Sequence, residues 1–135
     1  MHTDVRVPLN GPPGHGTGLS DDSRRFLSAL EDWCEAQGVR VAYSLPWGYT
    51  PAGRVEGFRQ EDARILVQIP QFIPVLNDPL LGADLNAGHF ADAAWHLNEE
   101  GSRLRTHELG RSVKQWDFWS VKELQRVGGV GFRPE

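Results

Sequence analysis

Apolar residues in the first third of the chain recur at the spacing of one helix face. They fall at i, i+1, i+4, i+7 and i+8, and they are Phe26, Leu27, Leu30, Trp33 and Cys34. Such a stripe is typical of an amphipathic helix that packs on a core. Ser20 is a suitable N-cap before it, and Gly38 is a suitable stop after it. The pattern predicts an N-terminal helix between these two residues.

Beyond Gly38 the apolar and polar residues alternate, which is the period of a strand. The alternation predicts strands at 39–45, 53–59 and 63–69, the last with Ile65, Val67 and Ile69 on one face. The polar residues 60–62 predict a turn, so the second and third strands are expected to form a β-hairpin. We therefore expect an antiparallel sheet of about three strands.

The helical period returns in the C-terminal half. A stripe of Phe90, Ala94, Leu97 and Leu104 predicts a second main helix over roughly 87–104. Ser120 and Glu123 form a capping-box pattern that predicts a short terminal helix. The segment 112–119 fits a helix or a strand. The predicted fold class is α+β, with an N-terminal helix, a small antiparallel sheet of about three strands and two or three C-terminal helices.

The chain is expected to form one domain. Residues 1–18 are rich in glycine and proline and predict a flexible arm, which leaves 19–135 as a single α+β domain. One face of the sheet is predicted to be covered by the larger apolar residues of both main helices: Phe26, Leu30, Trp33, Phe90, Ala94 and Leu97.

Composition narrows the range of functions. The 135 residues are 39% hydrophobic and carry a net charge of −4, which disfavours nucleic acid as a partner. A single cysteine rules out an internal disulfide and favours a cytoplasmic location. Neither a membrane-spanning run nor a signal peptide is evident. No phosphate-binding loop, nucleophile elbow or paired-cysteine motif is present, so no cofactor is predicted.

The stretch 88–110 carries the candidate catalytic residues. Asp92, His96 and Glu100 are spaced four apart, which makes them neighbours on a helix. A carboxylate beside an imidazole is a plausible proton-transfer pair, although the same residues also suit a solvated helix face. His89 and His96 would lie about 10 Å apart along a helix, too far to share a metal ion comfortably. The identity of any metal ligand set stays open.

His107-Glu108-Leu109-Gly110 resembles the first four positions of the H-E-x-x-H motif of the zincin metalloproteases. In that family both histidines bind zinc and the glutamate is the general base. Arg111 occupies the fifth position here. A cation in place of the second histidine argues against a zincin site.

Four aromatic residues are candidate binding residues. Trp47 and Tyr49 lie between two prolines and would form a lip beside the sheet. Trp116 and Trp119 alternate with lysine and arginine, a pattern that suits stacking on nucleic-acid bases, a protein interface or a core.

Three functions follow as hypotheses, and whether the protein is an enzyme is left open. The first is a small accessory or regulatory protein that acts through contacts with a protein partner. The second is a small hydrolase or nuclease with a His–carboxylate site on the second main helix, with or without a divalent metal. The third is nucleic-acid binding through the aromatic and basic C-terminal region.

Overall fold

The predicted N-terminal helix is present in the computed structural model, which describes residues 18–129. Helix α1 spans Asp21–Ala36, and the side chain of Ser20 accepts a hydrogen bond from the backbone N–H of Ser23. Gly38 follows the helix with a φ of +68°. The predicted flexible arm lies, except for Gly18, outside the described residues.

The face that α1 buries differs from the prediction. Leu27 and Cys34 are buried, whereas Phe26 is 65% exposed and Trp33 is 62% exposed. Successive helix residues are turned by about 100°, so the predicted stripe was too wide for one contact. The helix turns Leu27 and Cys34 inward and leaves the two aromatics outside. The other four residues predicted to cover the sheet are only half-buried: Leu30, Phe90, Ala94 and Leu97.

The predicted hairpin is wrong, because most of it is one helix. Helix α2 spans Val55–Leu66 and follows a 3₁₀ turn at Ala52–Arg54. The residues interpreted as a polar turn, 60–62, lie in the middle of this helix. The buried positions that decide the outcome recur every three or four residues through α2 and just beyond it: Ala63, Leu66, Ile69 and Ile73. That helical spacing outweighs the local alternation at 63–69.

The sheet is also smaller and differently connected than predicted. Strand β1, Gly48–Tyr49, pairs in parallel with strand β2, Ala83–Asp84. Two isolated bridges extend this framework, a parallel one between Tyr43 and Val75 and an antiparallel one between Leu76 and Phe118. Parallel pairing needs a long crossover, and α2 with the segment after it supplies one. The structure is therefore a mixed α/β chain with two parallel strands, and the antiparallel three-stranded sheet is excluded.

The second main helix begins about twelve residues later than predicted. Helix α3 spans Glu99–Gln115, and the side chain of Asn98 caps it by accepting from the N–H of Gly101. It ends at Trp116, which has a left-handed φ of 52°. The ambiguous segment is thus helical to Gln115 and extended after Trp116. Helix α4, Val121–Gly128, has the predicted capping box with Ser120.

The core lies where α2, α4 and the segment 69–81 meet α1. Its buried members are Leu27, Ala63, Leu66, Ile69, Ile73, Val75, Leu81 and Leu124. Close contact between α2 and α4 is fixed by Arg64, whose Nε donates to the carbonyl of Gly128 at 2.9 Å. Within residues 18–129, no helix has both the length and the apolar character to cross a membrane.

Candidate active site

The predicted catalytic residues Asp92 and His96 lie on a closed loop before α3, and not on a helix. The neck of the loop is an antiparallel bridge between Phe90 and Leu97. Inside it, Ala91 N–H donates to His96 C=O at 2.8 Å, and His96 N–H donates to Ala93 C=O at 3.1 Å. These bonds bring residues 92 and 96 together as a helical turn would.

The two side chains form a hydrogen-bonded pair. His96 Nδ1 lies 2.8 Å from Asp92 Oδ1, and the side chains are 66% and 82% exposed, respectively. The hydrogen bond from His96 lowers the pKa of Asp92 below its usual value. An ionised carboxylate can only accept, so Nδ1 carries the proton. Nε2 makes no hydrogen bond within residues 18–129 and faces solvent with its lone pair available.

Backbone and aromatic contacts fix this loop against β1. Tyr49 N–H donates to Ala94 C=O at 2.8 Å. The Trp95 ring lies on Gly48, where a Cβ would come within 2.2 Å of Trp95 Cζ3. The indole also packs near Phe58, with ring centroids 6.0 Å apart. The Asp92–His96 pair is exposed, but the loop that carries it is held at its middle by the hydrogen bond from Tyr49 to Ala94.

A second histidine–aspartate pair, Asp84 and His89, precedes this loop in the chain. His89 Nδ1 is 2.7 Å from Asp84 Oδ2, and the two side chains are only 17% and 7% exposed. His89 Nε2 is 3.1 Å from Asn86 Nδ2. The amide orientation is fixed because Asn86 Oδ1 accepts from Gly88 N–H. Both ring nitrogens of His89 are therefore used within the protein.

The backbone of His89 also supports the start of α3. Its carbonyl accepts from Asn98 N–H at 2.9 Å. A Cβ at Gly101 would lie 2.2 Å from the same carbonyl oxygen, so only glycine fits in this first helical turn. The buried pair thus ties β2 to α3, and the exposed pair lies on the loop between them.

The predicted binding lip at residues 47–49 is a packed part of the fold. Trp47 is 6% exposed, and its Nε1 donates to Asp78 Oδ2 at 3.2 Å. The guanidinium of Arg105 lies 5.1 Å from the Trp47 ring and 3.9 Å from Asp78 Oδ2. Burial lowers the pKa of Arg105, and the charge of Asp78 opposes that shift. Tyr49 is half-buried and packs on Phe90 with ring centroids 6.1 Å apart.

Asp62 on α2 is an ionisable group without a counter-ion among residues 18–129. It is half-buried and makes no hydrogen bond or salt bridge within the described residues. Burial raises its pKa to about 7, with help from the negative charges of Glu61 and Asp78. Burial and the charge of Asp62 in turn raise the pKa of Tyr43.

Glu100 and His107 do not join the exposed pair. Glu100 lines a shallow depression at the start of α3 together with Asn98, Glu99 and Arg103, and it makes no hydrogen bond to His96. His107 is exposed further along the same helix. Across residues 18–129, no group of three or more histidine, cysteine, aspartate or glutamate side chains is arranged to hold a metal ion.

The aromatic residues of the C-terminal region pack against other residues of the same chain. Trp116 packs edge-on against Phe118 at 4.8 Å, and the guanidinium of Arg40 lies 4.3 Å from its ring centroid. Trp119 is half-buried against the core. Its indole nitrogen is buried without a hydrogen-bond partner among the described residues. Arg40 and Phe118 thus cover part of the Trp116 ring.

The four-residue spacing predicts the exposed pair but not the buried one. In the sequence, His89 is a candidate only as a metal partner of His96, and the spacing does not point to Asp84. The available signal was Asn86-Ala87-Gly88, an Asx turn that brings residue 89 back toward residue 84. Comparison with protein-family models, curated proteins and solved structures gave no match.

Proposed function

We propose that Asp92 and His96 form the proton-transfer pair of a hydrolytic site. The observation that carries this proposal is the 2.8 Å hydrogen bond at Nδ1 combined with a free Nε2. A carboxylate that accepts from one imidazole nitrogen fixes the tautomer, so the other nitrogen presents its lone pair. This is the arrangement that a general base requires.

The chemistry assigned to the pair is ester hydrolysis. His96 Nε2 takes a proton from water as the water oxygen attacks the ester carbonyl carbon. The tetrahedral intermediate then collapses, and Nε2 returns the proton to the departing alkoxide. One ester and one water give one acid and one alcohol. Asp92 stays ionised throughout and stabilises the imidazolium that forms between the two proton transfers.

A neutral ester fits the surroundings better than a phosphodiester. Glu99 and Glu100 follow in the next turn of chain, and both are exposed. Their charges, together with the net charge of −4, would repel an anionic substrate. Trp95, 53% exposed beside His96, offers an apolar surface for the acyl or alcohol portion.

The test measures hydrolysis of a neutral chromogenic ester such as p-nitrophenyl acetate. His96→Ala should reduce kcat/KM by about 100-fold, the usual contribution of a positioned general base. Asp92→Asn should reduce it by about tenfold, because the imidazolium loses the negative charge that stabilises it, while Nε2 remains. His107→Ala is the matched control, since it removes another exposed histidine outside the pair. Equal rates for wild type, His96→Ala and His107→Ala would overturn the proposal.

A second candidate function, action through protein contacts, is favoured by one separate observation. The outer face of α1 exposes Phe26 and Trp33. Large apolar side chains that lie near one another on a surface are typical of interaction sites. This candidate does not depend on the histidine pair.

A further inference from the structure

A groove lies between α2, α4 and the segment 79–81, and the loop that carries Asp92 and His96 does not line it. Its volume is about 330 Å³, at the lower end of the range of ligand-binding clefts, about 300–1,000 Å³. Four of its lining side chains are apolar: Pro79, Leu81, Trp119 and Val127. Because Leu81 is also a member of the core, this apolar lining is in place before any ligand arrives.

Two arginines and one glutamate supply the charges that line the groove. Arg59 on α2 and Arg126 on α4 are cations, and Glu56 on α2 is an anion. The other two lining residues, Gln60 and Gly129, are neutral. The lining therefore carries an excess of one positive charge, although the whole chain has a net charge of −4.

The other acidic residues of these two helices do not cancel that charge. Glu61 is turned by about 140° around α2 from Glu56, because successive helix residues are rotated by about 100°. Asp62 lies against Gly82, where a Cβ would be 3.4 Å from its Oδ2. The carboxylate of Glu123 is bound in the capping box of α4. The positive charge of the groove is thus local to its own lining.

Neither guanidinium group has a carboxylate partner within residues 18–129. Arg59 Nε donates to Leu80 C=O at 3.2 Å, and its Nη2 donates to Pro79 C=O at 3.3 Å. These bonds to neutral carbonyls hold the Arg59 side chain at the groove and leave its charge uncompensated. Arg126 is exposed, and its side chain makes no hydrogen bond or salt bridge within the same residues. An anion in the groove would therefore meet one cation that is already ordered, which lowers the entropy cost of binding.

We propose that this groove binds a small organic monocarboxylate with an aryl or short alkyl body. The body packs on Trp119 and Val127, and the carboxylate lies toward Arg59 and Arg126, since a guanidinium matches the planar geometry of a carboxylate. Glu56 in the same lining disfavours a dianion such as a phosphate ester. A volume of about 330 Å³ holds about ten non-hydrogen atoms. For a ligand of that size in an open groove we expect a Kd of about 1 mM.

Titration of the full chain with 3-phenylpropanoate tests the site, with binding followed by backbone amide shifts in ¹H–¹⁵N NMR spectra. The acid should bind with a Kd of about 1 mM, and the largest shifts should fall at residues 80–81 and 126–129. The matched neutral probe, 3-phenylpropanamide, has the same body without the charge and should bind at least fivefold more weakly. Inorganic phosphate has the charge without the body and should also bind more weakly than the acid. Equal affinity for acid and amide, or no binding of the acid at 10 mM, would overturn the proposal.

Two charge variants should move the Kd for 3-phenylpropanoate in opposite directions. Arg126→Gln removes a cation that has no partner within residues 18–129 and should raise the Kd about fivefold. Glu56→Gln removes the anion of the lining and should lower the Kd about twofold. Arg103→Gln is the matched control, because it removes an exposed arginine of α3 that does not line the groove. The NMR spectra should show the wild-type fold for all three, because the altered side chains are exposed. A wild-type Kd in both Arg126→Gln and Glu56→Gln would show that these charges do not recognise the ligand, and it would overturn the assignment.

Discussion

The two histidine–aspartate pairs have nearly the same bond length and opposite surroundings. His89 and Asp84 are 2.7 Å apart and mostly buried, while His96 and Asp92 are 2.8 Å apart and mostly exposed. The difference that matters is at the second ring nitrogen. Asn86 fills that position on His89, whereas Nε2 of His96 is open. A histidine–carboxylate distance alone therefore does not separate a structural pair from the proposed catalytic one.

The largest expected effect comes from breaking the buried pair. Asp84→Ala removes a carboxylate that accepts from His89 Nδ1 and from Asn86 N–H. Two donors are left unsatisfied in a mostly buried place, so the free energy of unfolding should fall by about 3 kcal/mol. Urea denaturation followed by circular dichroism measures it.

Asp92→Ala is the matched control for that change. It removes the equivalent carboxylate from an exposed pair, so the free energy of unfolding should stay within about 0.5 kcal/mol of wild type. The proposed esterase activity should respond in the opposite order when it is measured under conditions where both variants are folded. Equal losses of stability for Asp84→Ala and Asp92→Ala would contradict the contrast between the pairs.

A smaller loss of unfolding free energy is expected from a change at Gly101, which packs against the His89 carbonyl. Gly101→Ala places a methyl group against the His89 carbonyl, and overpacking there should cost about 2 kcal/mol. Gly110→Ala on the same helix meets open space and should stabilise the protein by up to about 1 kcal/mol, because alanine favours the helix. Thermal unfolding of the two variants should therefore move in opposite directions. A stabilised Gly101→Ala would show that α3 is not seated on the His89 carbonyl.

A pH-dependent effect is expected at Asp62, a half-buried carboxylate that makes no hydrogen bond or salt bridge within residues 18–129. Its pKa is about 7 in the folded protein and near 3.8 in the unfolded chain. Its contribution to stability is complete below pH 3.8 and is lost as the pH rises through 7. Asp62→Asn should therefore raise the melting temperature by several degrees at pH 8, and the gain should disappear toward pH 4.

Asp92→Asn provides the contrast for that pH series. Hydrogen bonding lowers the pKa of Asp92, so removal of its charge should give no stabilisation at pH 8. Differential scanning fluorimetry at pH 4, 5, 6, 7 and 8 covers both variants. A pH-independent difference between Asp62→Asn and wild type would contradict the raised pKa.

The sequence spacing predicts that the side chains of Asp92 and His96 meet. They do meet, but not because they lie on a helix. Residues 92 and 96 were expected to meet because residues four apart are neighbours on a helix. They meet because Ala91 and His96 close a hydrogen-bonded loop. A single sequence does not reveal that closure, since it depends on the Phe90–Leu97 bridge and on contacts of Trp95 with β1. The third predicted member, Glu100, lies past the N-cap Asn98, where the chain changes direction.

The errors in the fold arise from local patterns that tertiary contacts overrode. Alternation at 63–69 predicted a strand, while the interval between buried residues in the same region is helical. Five apolar residues predicted the buried face of α1, but a helix buries a narrower stripe. The capped helices at Ser20 and Ser120 were predictable because capping chemistry is local. Parallel pairing of 48–49 with 83–84 was not, since it joins residues about 35 apart.

The neck of the loop at Phe90 and Leu97 has a practical consequence for engineering. It isolates six residues, 91–96, as an exchangeable cassette whose two ends are pinned by one bridge. Replacement loops of the same length would leave this bridge in place, because Phe90 and Leu97 lie outside the exchanged residues. Tyr49 N–H would remain as a docking point for the carbonyl of residue 94, so the orientation of each new loop would be inherited from the scaffold.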